Sequence, residues 1–370
     1  MPKARIIRRE IGWLSMLYII FLTGICNLRC KYCGGTIPSY VMPHEVQYSI
    51  KELRDFISQD AHPSIAFYGG EPLLRIDLMK KIMDEIEAEH YILQTNGLLL
   101  HNVDEDYLKK FSTILVSIDG RREVTNFYKG EGVYERVIEN VLKIKPIYKN
   151  ELIARMVATQ RTDIYHDVLH LLNLNIFTHV HWQIDAVWSP EGIWKDFAGW
   201  IKRYNKGITK LVNRWVEEMK RGRILGIVPF LGVLKALLGY PNTSPPCGSG
   251  VNSFAIATNG KILACPICPD LNWNVLGDLK SDPNKLPKLE MLEPCRSCEY
   301  LAVCGGRCLF FNRERLWGNE GFRLVCSTAV HLIREIERVK SEILSLVERG
   351  KIDFDDLIYP KFNNTTEIIP

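Results

Sequence analysis

Three thiols stand close together in Cys26-Asn27-Leu28-Arg29-Cys30-Lys31-Tyr32-Cys33, followed at once by Gly34 and Gly35, and the next cysteine comes only at Cys247. In a reducing compartment, clustered cysteines more often mean metal than disulfide. A structural zinc site takes four protein ligands, and iron-sulfur cubanes usually take four cysteines. Three in one tight loop leave one iron of a [4Fe-4S] cluster without a protein ligand. That open position is where a small molecule could be held on the metal.

A second cysteine field occupies the last third of the chain. Cys247 is followed by twelve residues, Gly260, four residues and Cys265; Cys268 comes next, then Cys295-x2-Cys298-x5-Cys304-x3-Cys308, and finally Cys326. The pairs Cys265/Cys268 and Cys295/Cys298 by themselves read as a zinc ribbon. A ribbon, however, leaves Cys247, Cys304, Cys308 and Cys326 without a role.

Something must position these thiols, and the apolar patterning shows what. Leu14 to Leu22, Ser64 to Tyr68, Tyr91 to Thr95, Ile114 to Ile118, Leu152 to Ala158 and Val180 to Ile184 are short, β-branched and aromatic runs that read as buried strands. Between them, Glu45 to Ser58, Asp77 to His90, Val133 to Lys145 and Asp163 to Leu172 carry apolar residues at helical spacing. Such alternation predicts about six β-α units, a parallel sheet with helices outside it, closed or partly closed. Sites in such folds gather at the C-terminal ends of the strands, where the first cysteine loop falls. Residues 191–246 read as mainly helical, with Trp188, Trp194, Trp200 and Trp215 along or just before them as core aromatics or a cavity wall. Asn242 to Pro246 reads as a linker. The expected divisions are 1–190, 191–246, 247–330 and 331–370, the last a helix from about Thr328 to Glu348 with a short polar tail.

Composition narrows the partners. A hydrophobic content of 46% and a formal net charge of +4, from 47 Lys+Arg against 43 Asp+Glu, describe a soluble globular chain with no polycation to grip nucleic acid. Lys3, Arg5, Arg8 and Arg9 before an apolar run superficially resemble a secretory signal. The run is too short to span a bilayer and no small-residue cleavage site follows, so a cytoplasmic protein without a membrane partner is expected.

On these residues the chain resembles the radical S-adenosylmethionine (SAM) superfamily, whose signature is the C-x3-C-x2-C loop, with an aromatic such as Tyr32 before the last cysteine, after the first strand of a partial (β/α)6 barrel. The resemblance implies that Cys26, Cys30 and Cys33 hold a [4Fe-4S] cluster whose fourth iron is chelated by SAM. An electron passed through it cleaves SAM to a 5′-deoxyadenosyl radical. Tyr68-Gly69-Gly70-Glu71-Pro72 is similar to the superfamily's GGEP motif, where main-chain carbonyls and Glu71 accept hydrogen bonds from the SAM ammonium and the glycines let the backbone approach it. By the same resemblance Ser117 bonds the SAM carboxylate, Gln94 and Asn96 face the cavity, and Lys129 stands where related enzymes often carry a carboxylate-pairing arginine.

The later cysteines resemble the seven-position SPASM pattern of radical SAM enzymes that act mostly on peptides and proteins. That resemblance implies two auxiliary [4Fe-4S] clusters: Cys295, Cys298, Cys304 and Cys326 for the outer, Cys247, Cys265 and Cys308 for the one nearer the barrel. Cys268 lies outside the pattern; it either completes the inner set or stays free while that cluster keeps an open iron. The implied function is oxidative modification of a peptide or protein side chain, as a thioether, a C-C crosslink or a related bond. A ferredoxin or flavodoxin-like electron donor is implied with it. With 25 residues before Cys26, no leader-binding module is expected, so leader recognition falls to a separate protein or to residues 190–240. The alternative is formylglycine formation as in anaerobic sulfatase-maturating enzymes. Those typically place an aspartate base after the second SPASM cysteine, where this chain has Pro266, with Asp270 four residues on and Asp119 and Asp185 as other carboxylates. A non-catalytic iron-sulfur or zinc scaffold is the alternative of another class.

Overall fold

The computed structural model describes residues 16–185, 194–240 and 242–370; Trp188 and the first residues of the Leu14 to Leu22 run lie outside them. Leu17–Phe21 (β1), Ser64–Tyr68 (β2), His90–Thr95 (β3), Phe111–Ser117 (β4), Glu151–Ala158 (β5) and His179–Ile184 (β6) each pair in parallel with the next. Parallel neighbours require crossovers. These are Ile50–Ile57 (α1), Ile76–Glu85 (α2), Glu105–Lys110 (α3), Arg122–Lys129 (α4) with Val133–Ile144 (α5), and Ile164–Asn173 (α6). The expected β-α alternation is the observed one.

The two-residue period of a strand decides where the core lies. In β1, Tyr18 and Ile20 join the large apolar layer shared with the helices, whereas Leu17, Ile19 and Phe21 enter a smaller inner cluster with Ala66, Ile92, Leu115 and Ile153. Since β1 is buried throughout, the sheet is covered on both faces, as a parallel sheet must be.

Past β6, Phe197–Lys220 (α7) and Val228–Leu237 (α8) pack outside the sheet. Trp194, Trp200 and Trp215 are buried there, and Trp182 and Trp215 meet Phe230 edge-on, so these aromatics are core. Ser253–Ile256 (β7) then adds to the free edge of β1, again in parallel, and Lys261–Leu263 (β8) and Val275–Asp278 (β9) extend the sheet antiparallel. The sheet has nine strands in the order β6-β5-β4-β3-β2-β1-β7-β8-β9. The cysteine-rich segment is thus hydrogen-bonded into the barrel sheet itself. Leu301–Cys304 (α9) and Leu309–Glu314 (α10) carry cysteines, and Gly318–Glu348 (α11) lies along α7, starting ten residues before the expected Thr328.

The short polar tail packs against the rest of the molecule. Residues 364–366, 368 and 369 are buried. Arg155 donates to the Thr365 carbonyl and the Glu367 carboxylate at 2.8 Å each, and the His181 ring pairs with the Glu367 carbonyl. Polar side chains pointing into the barrel from β5 and β6 find their partners in an irregular C-terminal strap more than 180 residues away, so no local pattern announces it. Among the described residues, no helix is long and apolar enough to cross a membrane.

Candidate active site

Because β1 to β6 run in register, the residues just past their C-terminal ends share one rim. The loop after β1 is shaped by the loop after β2: Gly70 N-H donates to the Thr23 carbonyl at 2.9 Å and Glu71 N-H to the Ile25 carbonyl at 2.8 Å. A Cβ on Gly69 would lie 2.4 Å from the Thr23 oxygen, and one on Gly70 2.3 Å from the Ile25 oxygen. In the structure the space these glycines leave is thus filled by the chain's own backbone on the approach to Cys26.

Glu71 ties that loop to the third strand. Its carboxylate is buried and accepts from Leu73 N-H at 3.1 Å, Thr95 Oγ1 at 2.7 Å and Asn96 N-H at 2.8 Å. Burial pushes its carboxyl up to about 7 against the pull of these donors. Asn96 in turn donates through Nδ2 to Asn27 Oδ1 at 2.7 Å, inside the cysteine loop. Gln94, Asn96 and Ser117 all line the cavity.

The other side of the loop is held from β4. Tyr32 donates its hydroxyl to Asp119 at 2.9 Å, Lys31 N-H donates to the Tyr128 carbonyl at 2.9 Å, and the Lys129 ammonium lies 3.7 Å from Asp119 and over the Tyr32 ring. Burial pulls the Lys129 ammonium down, but Asp119 and the thiols of Cys30, Cys33 and Cys26 more than offset it, so it is held above the usual lysine value. Within the loop Cys30 lends a hydrogen bond that lowers Cys33, while Cys30 itself is raised by that bond and by burial. Asp119 is fully buried and also accepts from Val157 N-H at 3.0 Å, which makes it an anchor for Lys129 and Tyr32. Asp119→Asn leaves a buried cation without its ion-pair partner; a loss of about 3–5 kcal/mol is expected in denaturant melts.

A cavity of about 730 Å³ opens beneath this rim. Cys26, Cys30, Cys33, Gly69, Gly70, Glu71 and Lys129 line one part of it, and Cys247, Cys265 and Cys308 another. Cys247 precedes β7 and Cys265 follows β8, so topology puts these thiols at the opposite end of β1 from Cys26. The five residues of β1 separate the two ends by roughly 13 Å. Asp185 and Asp270 also line the cavity.

The second cysteine field resolves into two groups. Cys265 is held well above the usual thiol value by a hydrogen bond with Cys268 and by burial, and burial and the Cys265 charge raise both Cys247 and Cys308. Cys268 packs with Cys265, Cys308 and Phe310. Separately, burial raises Cys304 to about 12 and Cys326 to about 11, and Cys295 acts on both. Cys298 acts on Cys295 and Cys326. The thiols thus associate as four in each of two groups and three in the loop; among the described residues, no three of these side chains converge as they would around a single metal ion.

Residues 20–172 match the radical SAM superfamily. Across 324 residues the chain is 25% identical to the cysteine-type anaerobic sulfatase-maturating enzyme of Clostridium perfringens (strain 13 / Type A), spanning 76% of this chain and 85% of that enzyme. It is 31% identical over 281 residues to the GTP 3′,8-cyclase of Clostridium perfringens (strain SM101 / Type A), 72% of this chain and 82% of that one. The solved structure of native anSMEcpe with bound AdoMet and Kp18Cys peptide superposes with a TM-score of 0.70 at 20% identity, over 90% of this chain and 99% of that one. The chain belongs to the radical SAM superfamily. It is therefore an enzyme of radical redox chemistry that uses a [4Fe-4S] cluster and SAM, and the scaffold reading falls.

The sequence reading missed Asp119 and Asn27 as the anchors of the loop, and the strap residues Thr365 and Glu367 that line the cavity. Only the position of Asp119 just past a strand end hinted at its role.

Proposed function

We propose that this enzyme oxidatively modifies a side chain of a peptide or protein, forming a thioether, a C-C crosslink or a related bond. The observation that carries it is the shared cavity, which has the three-thiol loop at one end and the inner thiol group at the other. Cys26, Cys30 and Cys33 hold the SAM cluster; Ser117, Gln94, Asn96 and Lys129 face SAM, and Glu71, with its three internal donors, keeps the rim in shape. When bound, the cluster and SAM supply a 5′-deoxyadenosyl radical able to take hydrogen from an unactivated C-H. The chain's part is to exclude water and hold one C-H of the substrate between the two ends of the cavity. Cys247, Cys265, Cys268 and Cys308 hold the inner auxiliary cluster, and Cys295, Cys298, Cys304 and Cys326 the outer one. The contact of Cys268 with Cys265 supports its place as fourth inner ligand. A ferredoxin or flavodoxin-like protein donates the electron, a separate protein recognises any leader, and the enzyme works in the cytoplasm.

The likeness to a sulfatase-maturating enzyme favours a second reading, formylglycine formation, with Asp185 or Asp270 in the cavity as base. The test is anaerobic reconstitution with iron and sulfide, followed by dithionite, SAM and a panel of synthetic cysteine-containing peptides. Expected are 5′-deoxyadenosine and a peptide lighter by two hydrogens. A formylglycine product selects the second reading, and intact SAM with zinc in place of iron overturns both.

A further inference from the structure

Cys304 and Cys308 belong to different thiol groups, although only Gly305, Gly306 and Arg307 separate them. Arg307 sits in that bridge with an exposure of 3%. Its φ of 64° places a long, charged residue in the left-handed region, a costly conformation that persists only where the surroundings enforce it. Its backbone N-H donates to the Cys304 carbonyl at 3.2 Å, and its guanidinium lies over the Phe311 ring. Nε donates to the Pro370 carbonyl of the strap at 2.7 Å, whereas Nη1 and Nη2 are buried with no hydrogen-bond partner among the described residues. A buried guanidinium left with unused donors is unfavourable unless an acceptor meets them.

The acceptor that the surroundings offer is anionic and sulfur-rich. Arg307 directly precedes Cys308 of one group and follows Cys304 of the other by three residues, with its backbone N-H bonded to the Cys304 carbonyl, so its place in the chain ties it to both groups. A thiolate-ligated cluster is negatively charged and becomes more so on reduction, so a buried cation beside it favours the reduced form. Hydrogen bonds to its sulfurs act in the same direction. We propose that Arg307 is a positioning residue lodged between the two auxiliary clusters, donating through Nη1 and Nη2 to their sulfurs and raising the reduction potential of both. This rests on the reading that the two thiol groups hold iron-sulfur clusters. Arg307 also links the strap that lines the substrate cavity to the space between the clusters, through the Pro370 carbonyl.

The test is an EPR-monitored redox titration of the reconstituted enzyme, wild type against Arg307→Gln and Arg307→Lys, with the SAM cluster as internal reference. In Arg307→Gln both auxiliary midpoints should fall by the equivalent of a tenfold shift in the one-electron equilibrium, about 59 mV. The SAM cluster should not move, and Arg307→Lys should recover part of the fall. Unchanged auxiliary midpoints with full iron overturn the proposal. Should Arg307→Gln fail to assemble its auxiliary clusters, pulsed EPR on wild type grown with guanidino-nitrogen-15 arginine decides. A nitrogen-15 coupling to the reduced auxiliary clusters that disappears in Arg307→Lys supports the proposal, and its absence in wild type overturns it. Wild type that binds iron only at the first site overturns the two-cluster reading beneath it as well.

Discussion

Cys30→Ala abolishes 5′-deoxyadenosine formation and lowers the iron content by one cluster while leaving the fold intact. Alanine at this position is informative because the loop does not lean on the Cys30 side chain for its shape. Its turn is built on the Cys30 carbonyl, which accepts from Cys33 N-H at 3.1 Å and Gly34 N-H at 2.9 Å. Its anchors are Tyr32 on Asp119, Asn27 with Asn96, and the Lys31 N-H on the Tyr128 carbonyl. None of these is a thiol. Removing the Cys30 sulfur therefore deletes one of the three proposed ligands from a loop that keeps its position, and a cluster held there cannot be retained on two thiolates. The expected readings are background 5′-deoxyadenosine by chromatography, an unchanged far-UV circular dichroism spectrum, and auxiliary iron still present by Mössbauer spectroscopy. Turnover persisting in this variant would place the SAM-cleaving centre elsewhere in the chain.

How much of this was open to a reader of the residues follows from the range of the forces involved. The strand Ser64 to Tyr68 was legible to the residue because a buried parallel strand is a continuous apolar run between polar ends. The other five strands of the β-α alternation were found to within a few residues, whereas β7, β8 and β9 in the cysteine-rich segment were not expected, and helix ends were read less well: α1 begins at Ile50, not Glu45, since Ser49 and Glu52 form a capping box that starts the helix there. The early part of α11 was missed because Gly318 and Gly321 weaken the helical pattern that tertiary packing of Phe322 and Val325 restores. The site divides in the same way. Cysteine spacing is local and was readable, whereas the support of the loop by Asp119, 87 residues from Tyr32, and the strap across Arg155, 212 residues from Glu367, are contacts between distant residues. The purpose of Gly69 and Gly70 shows the same limit: a glycine announces close approach, but not what approaches.

That last point yields the second large effect, at Gly70. A Cβ there would stand 2.3 Å from the Ile25 oxygen, 2.5 Å from the Ile25 carbonyl carbon and 2.8 Å from the Gly24 oxygen. All three atoms are backbone, so no side chain can swing aside to make room. The loop after β1 must retreat, and with it go the bonds from Gly70 N-H to Thr23 and from Glu71 N-H to Ile25. Overpacking costs about 1–3 kcal/mol and each lost hydrogen bond about 1 kcal/mol, so Gly70→Ala should destabilise the fold by roughly 3–5 kcal/mol. Cys26 directly follows the displaced residue, so the first cluster should be lost with it. Gly34 provides the contrast within the same loop: its φ of +79° disfavours alanine, but nothing lies within 4 Å of the added atom. Gly34→Ala should therefore cost about 1–2 kcal/mol of conformational strain and keep both iron and 5′-deoxyadenosine formation. Thermal melts and iron counts on the two variants separate backbone collision from backbone conformation. Equal losses in both would mean that the loop is held by its own dihedral preferences and not by the GGEP segment pressed against it.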